Sequence, residues 1–206
     1  MSFLAACATG SLPEVAFVDP RFIDEQSGTS NDDHPHADIR NGEAFLNLVY
    51  TAVTTSPAWR NTVLIINFDE WGGFFEHVPP PTAPIPEADA AAGNEDGRLG
   101  FRVPCVIVSP FARRAYVATP VFDHTSILRF IEWRWNLKPL TERDATANNL
   151  AEVLDFSRHV EQAPLFGVPP GPFGAACPPT ATARWASEAA TWANVRDIAR
   201  IFNWAV

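Results

Sequence analysis

"TVLIINFDEWGGFFEHVPPP", residues 62–81, sets an apolar, β-branched run against two adjacent carboxylates and a glycine pair. The run at 62–68 has no polar alternation, the pattern of a strand buried on both faces. It ends at Asp69 and Glu70. Charge at the mouth of a buried strand is costly unless something positive meets it. A metal ion, an arginine or a lysine would each serve, and the pair alone leaves that choice open. Gly72 and Gly73 allow the backbone to turn sharply behind the pair. At the carboxyl end of a strand in an open parallel sheet, such side chains face the crevice where ligands bind. Hard oxygen ligands suit Mg²⁺, Ca²⁺ or Mn²⁺.

Upstream, "EAFLNLVYTAVTTS" at 43–56 has apolar residues at 45, 46, 49 and 53, a helical period that "SPAW" breaks. "EVAFVD" at 14–19 reads as a further buried strand. Strand, helix and strand in this order predict a βαβ unit and a parallel sheet in an α/β fold. Downstream, 79–100 is a long Pro-rich acidic loop. "VPCVIVSP" at 103–110 is another strand, with Cys105 as a buried small residue. "HTSILRFIEWRW" at 124–135 has a helical period, and Thr125 or Ser126 can cap its start. "LTERDATANNLAEVLDF" at 140–156 reads as a second, more polar helical stretch. Residues 163–184 form a Pro/Gly/Ala-rich linker or wrap, and 185–204 an amphipathic terminal helix.

The 206 residues suit one domain of ordinary size, 47% apolar and 19% charged, so a sizeable core is expected. A net charge of −9 argues against nucleic acid or an anionic membrane surface as the main partner. Cys7, Cys105 and Cys177 have neither zinc spacing nor the count of a disulfide framework. No run is long enough to predict a transmembrane segment. The first residues lack a basic region and a long apolar core, so they do not read as a signal peptide, and localisation stays open.

Three further clusters carry chemistry. "NDDHPH" at 31–36 holds two carboxylates and two imidazoles in one loop, and Pro35 stiffens the backbone at His34. An imidazole held there can donate to a phosphate oxygen, act as an acid or ligate a metal, or it can simply be solvated. In "FDHTS" at 122–126, His124 can line an anion site at a helix start. Equally, Asp123 or Thr125 caps the helix while His124 packs locally. His77 can orient Glu70 or be a plain loop residue, and Arg113-Arg114 can bind phosphate or be surface charge. No GxSxG elbow, P-loop or GxGxxG fingerprint is present.

Taken together, "NDDHP", "SPAWRNTVLIINFDEWGGFFEHVPPP", "GFRVPCVIVSPFARR" and "FDHTSILRFIEWRWNL…LTERDATANNL…LDF" resemble the carboxyl-terminal half of the phosphoesterase family of bacterial phospholipases C and acid phosphatases, in the alkaline phosphatase superfamily. The resemblance runs from about residue 12 to about 158. It implies an α/β/α sandwich around a mostly parallel sheet, incomplete here. Residues 1–158 would then be the carboxyl-terminal part of a catalytic domain, and 159–206 a wrap plus terminal helix. It also implies metal-assisted hydrolysis of a phosphate ester through a covalent phospho-enzyme. Asp69 and Glu70 match the family's metal-binding pair, with Ca, Mg or Mn as the ion. His34 matches a histidine lining the phosphate site, and His124 lies where relatives place another. The family's Asn-containing metal motif and its Thr or Ser nucleophile have no match in residues 1–30. The expectation is therefore a fragment lacking an amino-terminal half, weak or inactive alone. The alternative is a non-catalytic cation- or partner-binding domain on the same scaffold.

Overall fold

The computed structural model describes residues 2–35 and 37–174 and is a mixed α/β structure. Helix α1 (Phe3–Thr9) is followed by α2 (Ile39–Thr54), strand β1 (Leu64–Asn67), α3 (Glu87–Ala91), strand β2 (Cys105–Val108), α4 (His124–Trp135) and α5 (Glu142–Thr146). Single 3₁₀ turns lie at Glu25–Ser27, Trp59–Asn61 and Leu150–Val153. The chain divides into two compact units. The first comprises Met1–Val18 and Leu48–Phe166, the second Asp19–Asn47 and Gly167–Val206. No helix of the described residues is long and apolar enough to cross a membrane.

The first unit carries the sheet. β1 and β2 pair antiparallel, Leu64 opposite Val108 and Asn67 opposite Cys105. The parallel sheet expected from the strand–helix–strand pattern is therefore not what the described residues form. Residues 68–104 turn back on themselves through loops and an isolated Thr82–Arg98 bridge. An antiparallel return of this kind needs no crossover helix. "EVAFVD" is not a strand: Val15 and Phe17 are exposed, and among the described residues no neighbouring strand takes up its hydrogen bonds. β1 is half-buried rather than sandwiched on both faces, and Cys105 is exposed.

The helices follow local chemistry. Helix α1, not anticipated from sequence, is capped by Ser2 and closed by Gly10 at φ +67°. Helix α4 spans the expected residues, and of the caps the sequence offered it uses Asp123. The Asp123 carboxylate accepts from Thr125 N at 2.7 Å, and Ser126 Oγ accepts from Asp123 N at 3.1 Å. The stretch 140–156 is broken into α5 and a 3₁₀ turn, because Asn149 caps the turn by accepting from Ala151 N at 2.8 Å. The expected helix at 185–204 lies outside the described residues.

The core of this unit gathers Ala6, Cys7, Val49, Tyr50, Val53, Trp59, Leu150, Val153 and Leu154. Two large side chains keep their polar tips satisfied while buried. Trp59 Nε1 donates to the Glu161 carbonyl at 2.8 Å, and Tyr50 OH donates to the Pro164 carbonyl at 2.7 Å. These hooks hold the irregular 157–166 segment against the helical core.

Asp144 is the most confined charge, 1% exposed. It accepts from Leu140 N at 2.7 Å, and from Thr141 N and Thr141 Oγ1 at 2.8 Å each. Burial pushes its carboxyl up, but hydrogen bonds from Glu132, from the Thr141 hydroxyl and from these amides outweigh it and hold the pKa low. Glu132 is raised, by burial first and then by its bond to Asp144. Replacing Asp144 with Ala should lower unfolding free energy by about 2–3 kcal/mol, because several buried donors lose their acceptor. Glu142→Ala, on the exposed side of α5, should stay within about 0.5 kcal/mol. Denaturant unfolding of the two variants tests this.

Candidate functional site

Strand β1 delivers the carboxylate pair. Phe68 ends it, with its amide donating to the Pro104 carbonyl at 3.2 Å. Its own carbonyl accepts from Asn67 Nδ2 at 2.9 Å and from His124 Nε2 at 3.0 Å. His124 is the first residue of α4, placed there by the Asp123 cap. A carbonyl acceptor makes Nε2 the protonated nitrogen, so Nδ1 is the acceptor of the neutral ring. The histidine is thus brought to the strand end, one residue before Asp69, and its exposed ring is oriented there.

Asp69 is exposed and Glu70 half-buried. Glu70 Oε2 accepts from Gly72 N at 2.7 Å, which folds the carboxylate back over the turn. Gly72 and Gly73 both take left-handed conformations, φ +69° and +75°. A Cβ at Gly73 would meet nothing within 4 Å, so the glycine is required by its dihedral angle and not by crowding. A side chain there would cost roughly 1–2 kcal/mol.

Two contacts clasp the loop beyond the glycines. Trp71 meets Phe101 edge-on, centroids 5.0 Å apart. Glu76 makes a two-pronged pair with Arg102, Nε to Oε2 at 2.7 Å and Nη2 to Oε1 at 2.8 Å. Glu76 also accepts from His77 N and Val78 N. Neither Arg102 nor this pairing stood out in the sequence. The two residues lie far apart in the chain, and only the folded return of 68–104 joins them. His77 Nδ1 sits 3.4 Å from Glu76 Oε1 and the side chain is 71% exposed, so the carboxylate it faces is Glu76, not Glu70. Arg113 lies over the Tyr116 ring and Arg114 donates to the Gln162 carbonyl, which commits both to their surroundings.

His34 belongs to the second unit. Its Nδ1 faces Glu25 Oε2 at 3.2 Å and the Pro35 carbonyl at 3.1 Å. Both are acceptors, so Nδ1 carries the proton and the ring tautomer is set. Among the described residues no group of three or more His, Cys, Asp or Glu side chains is arranged to hold a metal ion. Asp69 and Glu70 therefore offer the right donor chemistry for a hard cation but only part of a ligand set.

With this geometry in view, the comparisons with known proteins decide the family. The model of the phosphoesterase family matches residues 1–138. The chain belongs to the phosphoesterase family. It is similar to non-specific phospholipase C6 of Arabidopsis thaliana, 36% identical over 169 residues, which cover 75% of this chain and 32% of that protein. It is similar also to non-specific phospholipase C3 of the same plant, 34% identical with the same coverage. Phospholipase C B of Mycobacterium tuberculosis (strain ATCC 25618 / H37Rv) is 34% identical over 174 residues, 76% of this chain and 32% of that protein. The chain thus spans about a third of the length of the curated relatives it matches. The plant relatives widen the bacterial setting that the sequence resemblance suggested.

The Arg102 bond, ahead of the opposing effect of burial and with help from the two amides, lowers the Glu76 carboxyl from an ordinary 4.5 to about 2. A depressed folded pKa stabilises the native state above the unfolded value. That contribution is present in full above about pH 4.5 and is lost as pH falls through about 2. Arg102→Met should return the Glu76 titration towards the ordinary carboxylate range and remove this share of the acid dependence. Carboxyl-detected NMR titration of the two proteins reads it directly.

Proposed function

We propose that this chain carries part of the machinery of a metal-dependent phosphate-ester hydrolase of the phospholipase C or acid phosphatase type. The observation that carries the reading is the carboxylate pair at the end of β1, on a backbone pinned at Phe68 by the His124 imidazole. Membership of the phosphoesterase family and the phospholipase C names of its relatives support it.

In this reading Asp69 and Glu70 supply oxygen ligands to a Ca²⁺, Mg²⁺ or Mn²⁺ ion. When bound, such an ion neutralises charge that develops on phosphoryl oxygens. His124 holds the backbone from which the pair projects and presents an imidazole beside it. The family resemblance gives His34 the role of phosphate-oxygen donor; with Nδ1 turned to Glu25 and the Pro35 carbonyl, that bond would have to come from Nε2 of the doubly protonated ring. Net hydrolysis breaks the ester P–O bond, gives the water oxygen to phosphorus and a proton to the departing alcohol oxygen. Residues 1–30 carry no match to the family's Thr or Ser nucleophile, so this reading expects the polypeptide alone to turn over slowly.

A second reading, a cation- or partner-binding domain without catalysis, is favoured by the incomplete ligand set among the described residues. Hydrolysis of p-nitrophenyl phosphate and p-nitrophenyl phosphorylcholine, with each metal and with EDTA, separates the two. The hydrolase reading expects slow, EDTA-sensitive turnover that Asp69→Asn lowers by roughly 10²–10³. Turnover indifferent to EDTA or to Asp69→Asn contradicts it. Cation binding at the pair with no turnover of either ester selects the second reading.

A further inference from the structure

The second unit buries more carboxylate than its described residues neutralise. Asp32 is 4% exposed, and neither of its oxygens meets a hydrogen-bond donor. Ser30 is 1% exposed, and its hydroxyl is equally without a partner. Asp33 Oδ1 is a third such oxygen. Burial raises the Asp33 carboxyl, and the charges of Glu43 and then Asp32 raise it further.

The packing of this loop explains the crowding. Asp33 Oδ1 occupies the space a side chain at Gly42 would need, and the Asp32 carbonyl oxygen lies 2.9 Å from the same point. Only glycine fits there. The neighbouring Asn41 is buried and bonded on both ends of its amide. It donates to the Gly28 carbonyl at 3.4 Å and the Phe173 carbonyl at 3.1 Å, and accepts from Phe173 N at 2.7 Å. The loop is therefore held against the first turns of α2.

A buried carboxylate without donors costs several kcal/mol unless a proton, a cationic side chain or a metal ion compensates it. The described cationic side chains of this unit are spoken for. Arg21 pairs with Asp24 at 2.7 Å. Arg40 forks onto Asp38 at 2.9 and 2.6 Å and lies over the Phe173 ring. No described backbone amide donates to the Asp32 carboxylate either. Among the described residues, what stands at this loop without a partner is a set of hard oxygen atoms.

We propose that Asp32, Asp33 and Ser30 form an oxygen-lined site for a divalent cation of the calcium class, set in the loop that packs on Gly42. With two carboxylates as its only charged ligands, the site completes its shell with the Ser30 hydroxyl, backbone carbonyls and water. Its affinity is accordingly modest, roughly 10⁻⁴ M. The site uses neither Asp69 nor Glu70 and does not depend on the hydrolase reading.

The experiment uses the full chain carrying Asp69→Asn and Glu70→Gln, stripped with EDTA. It is titrated with CaCl₂ and separately with MgCl₂ by calorimetry, with Tm followed in parallel. One Ca²⁺ per chain is expected, with a rise in Tm. Asp32→Asn in that background should abolish both, and Ser30→Ala should weaken binding about tenfold. Absence of binding, or binding unchanged by Asp32→Asn, overturns the proposal. So does an Asp32→Asn protein that gains stability with no ion effect in its parent, which would assign a protonated carboxyl. If Asp32→Asn does not fold, Ser30→Ala and Asp33→Asn decide, and unchanged affinity in both overturns the site.

Discussion

The carbonyl of Phe68 is where the first unit turns from scaffold into site. The chain leaves the β1 ladder after Asn67, so the carbonyl of Phe68, the next residue, must be satisfied outside it. Asn67 and His124 both donate to it, while the Phe68 amide bonds the Pro104 carbonyl. Each of these contacts depends on another element. His124 is in place because Asp123 caps α4, and the cap is steadied by Arg143 of α5 at 3.4 Å. Pro104 is in place because β2 pairs with β1 in register. The position of Asp69 and Glu70 is therefore the outcome of a helix cap, a strand register and one imidazole acting on a single peptide group.

Behind the pair, the chain combines freedom with restraint. The two left-handed glycines let the backbone reverse, and the Trp71–Phe101 and Glu76–Arg102 contacts fix where it goes. Of the acidic side chains in 69–76, Glu76 is already neutralised by a guanidinium and held by amides. That pairing sets Glu76 apart as a structural carboxylate from Asp69 and Glu70, though all three stand within eight residues in the sequence. Phe74 is left 70% exposed at the turn.

Much of this was legible in the sequence because it is local. The periodicity of 124–135, the β-branched run before Asp69 and the breaking action of "SPAW" are short-range signals, and the structure follows them. The block around Asp69 also carried the family resemblance, and the family match agrees with it. What failed was long-range. "EVAFVD" has the composition of a strand, but a strand needs a neighbour, and the described residues form none there. The direction of β2 is set by how 68–104 folds back, which no local pattern encodes. Cys105 looked buried because its neighbours are apolar, yet β2 belongs to a two-stranded sheet that leaves it exposed. The joining of His124 to Phe68 and the buried state of Asp32 likewise come from tertiary packing.

The proposed hydrolase turns on a divalent cation held at the end of β1 by Asp69 and Glu70, on a backbone set by His124. Paramagnetic broadening by Mn²⁺ in the NMR spectrum of the full chain tests it most directly. The account predicts that substoichiometric Mn²⁺ broadens the amides of residues 69–72 and the His124 ring, and that Asp69→Asn removes this effect. If those signals stay sharp while the acidic loop at 87–96 broadens, the pair is not a cation site and the account fails.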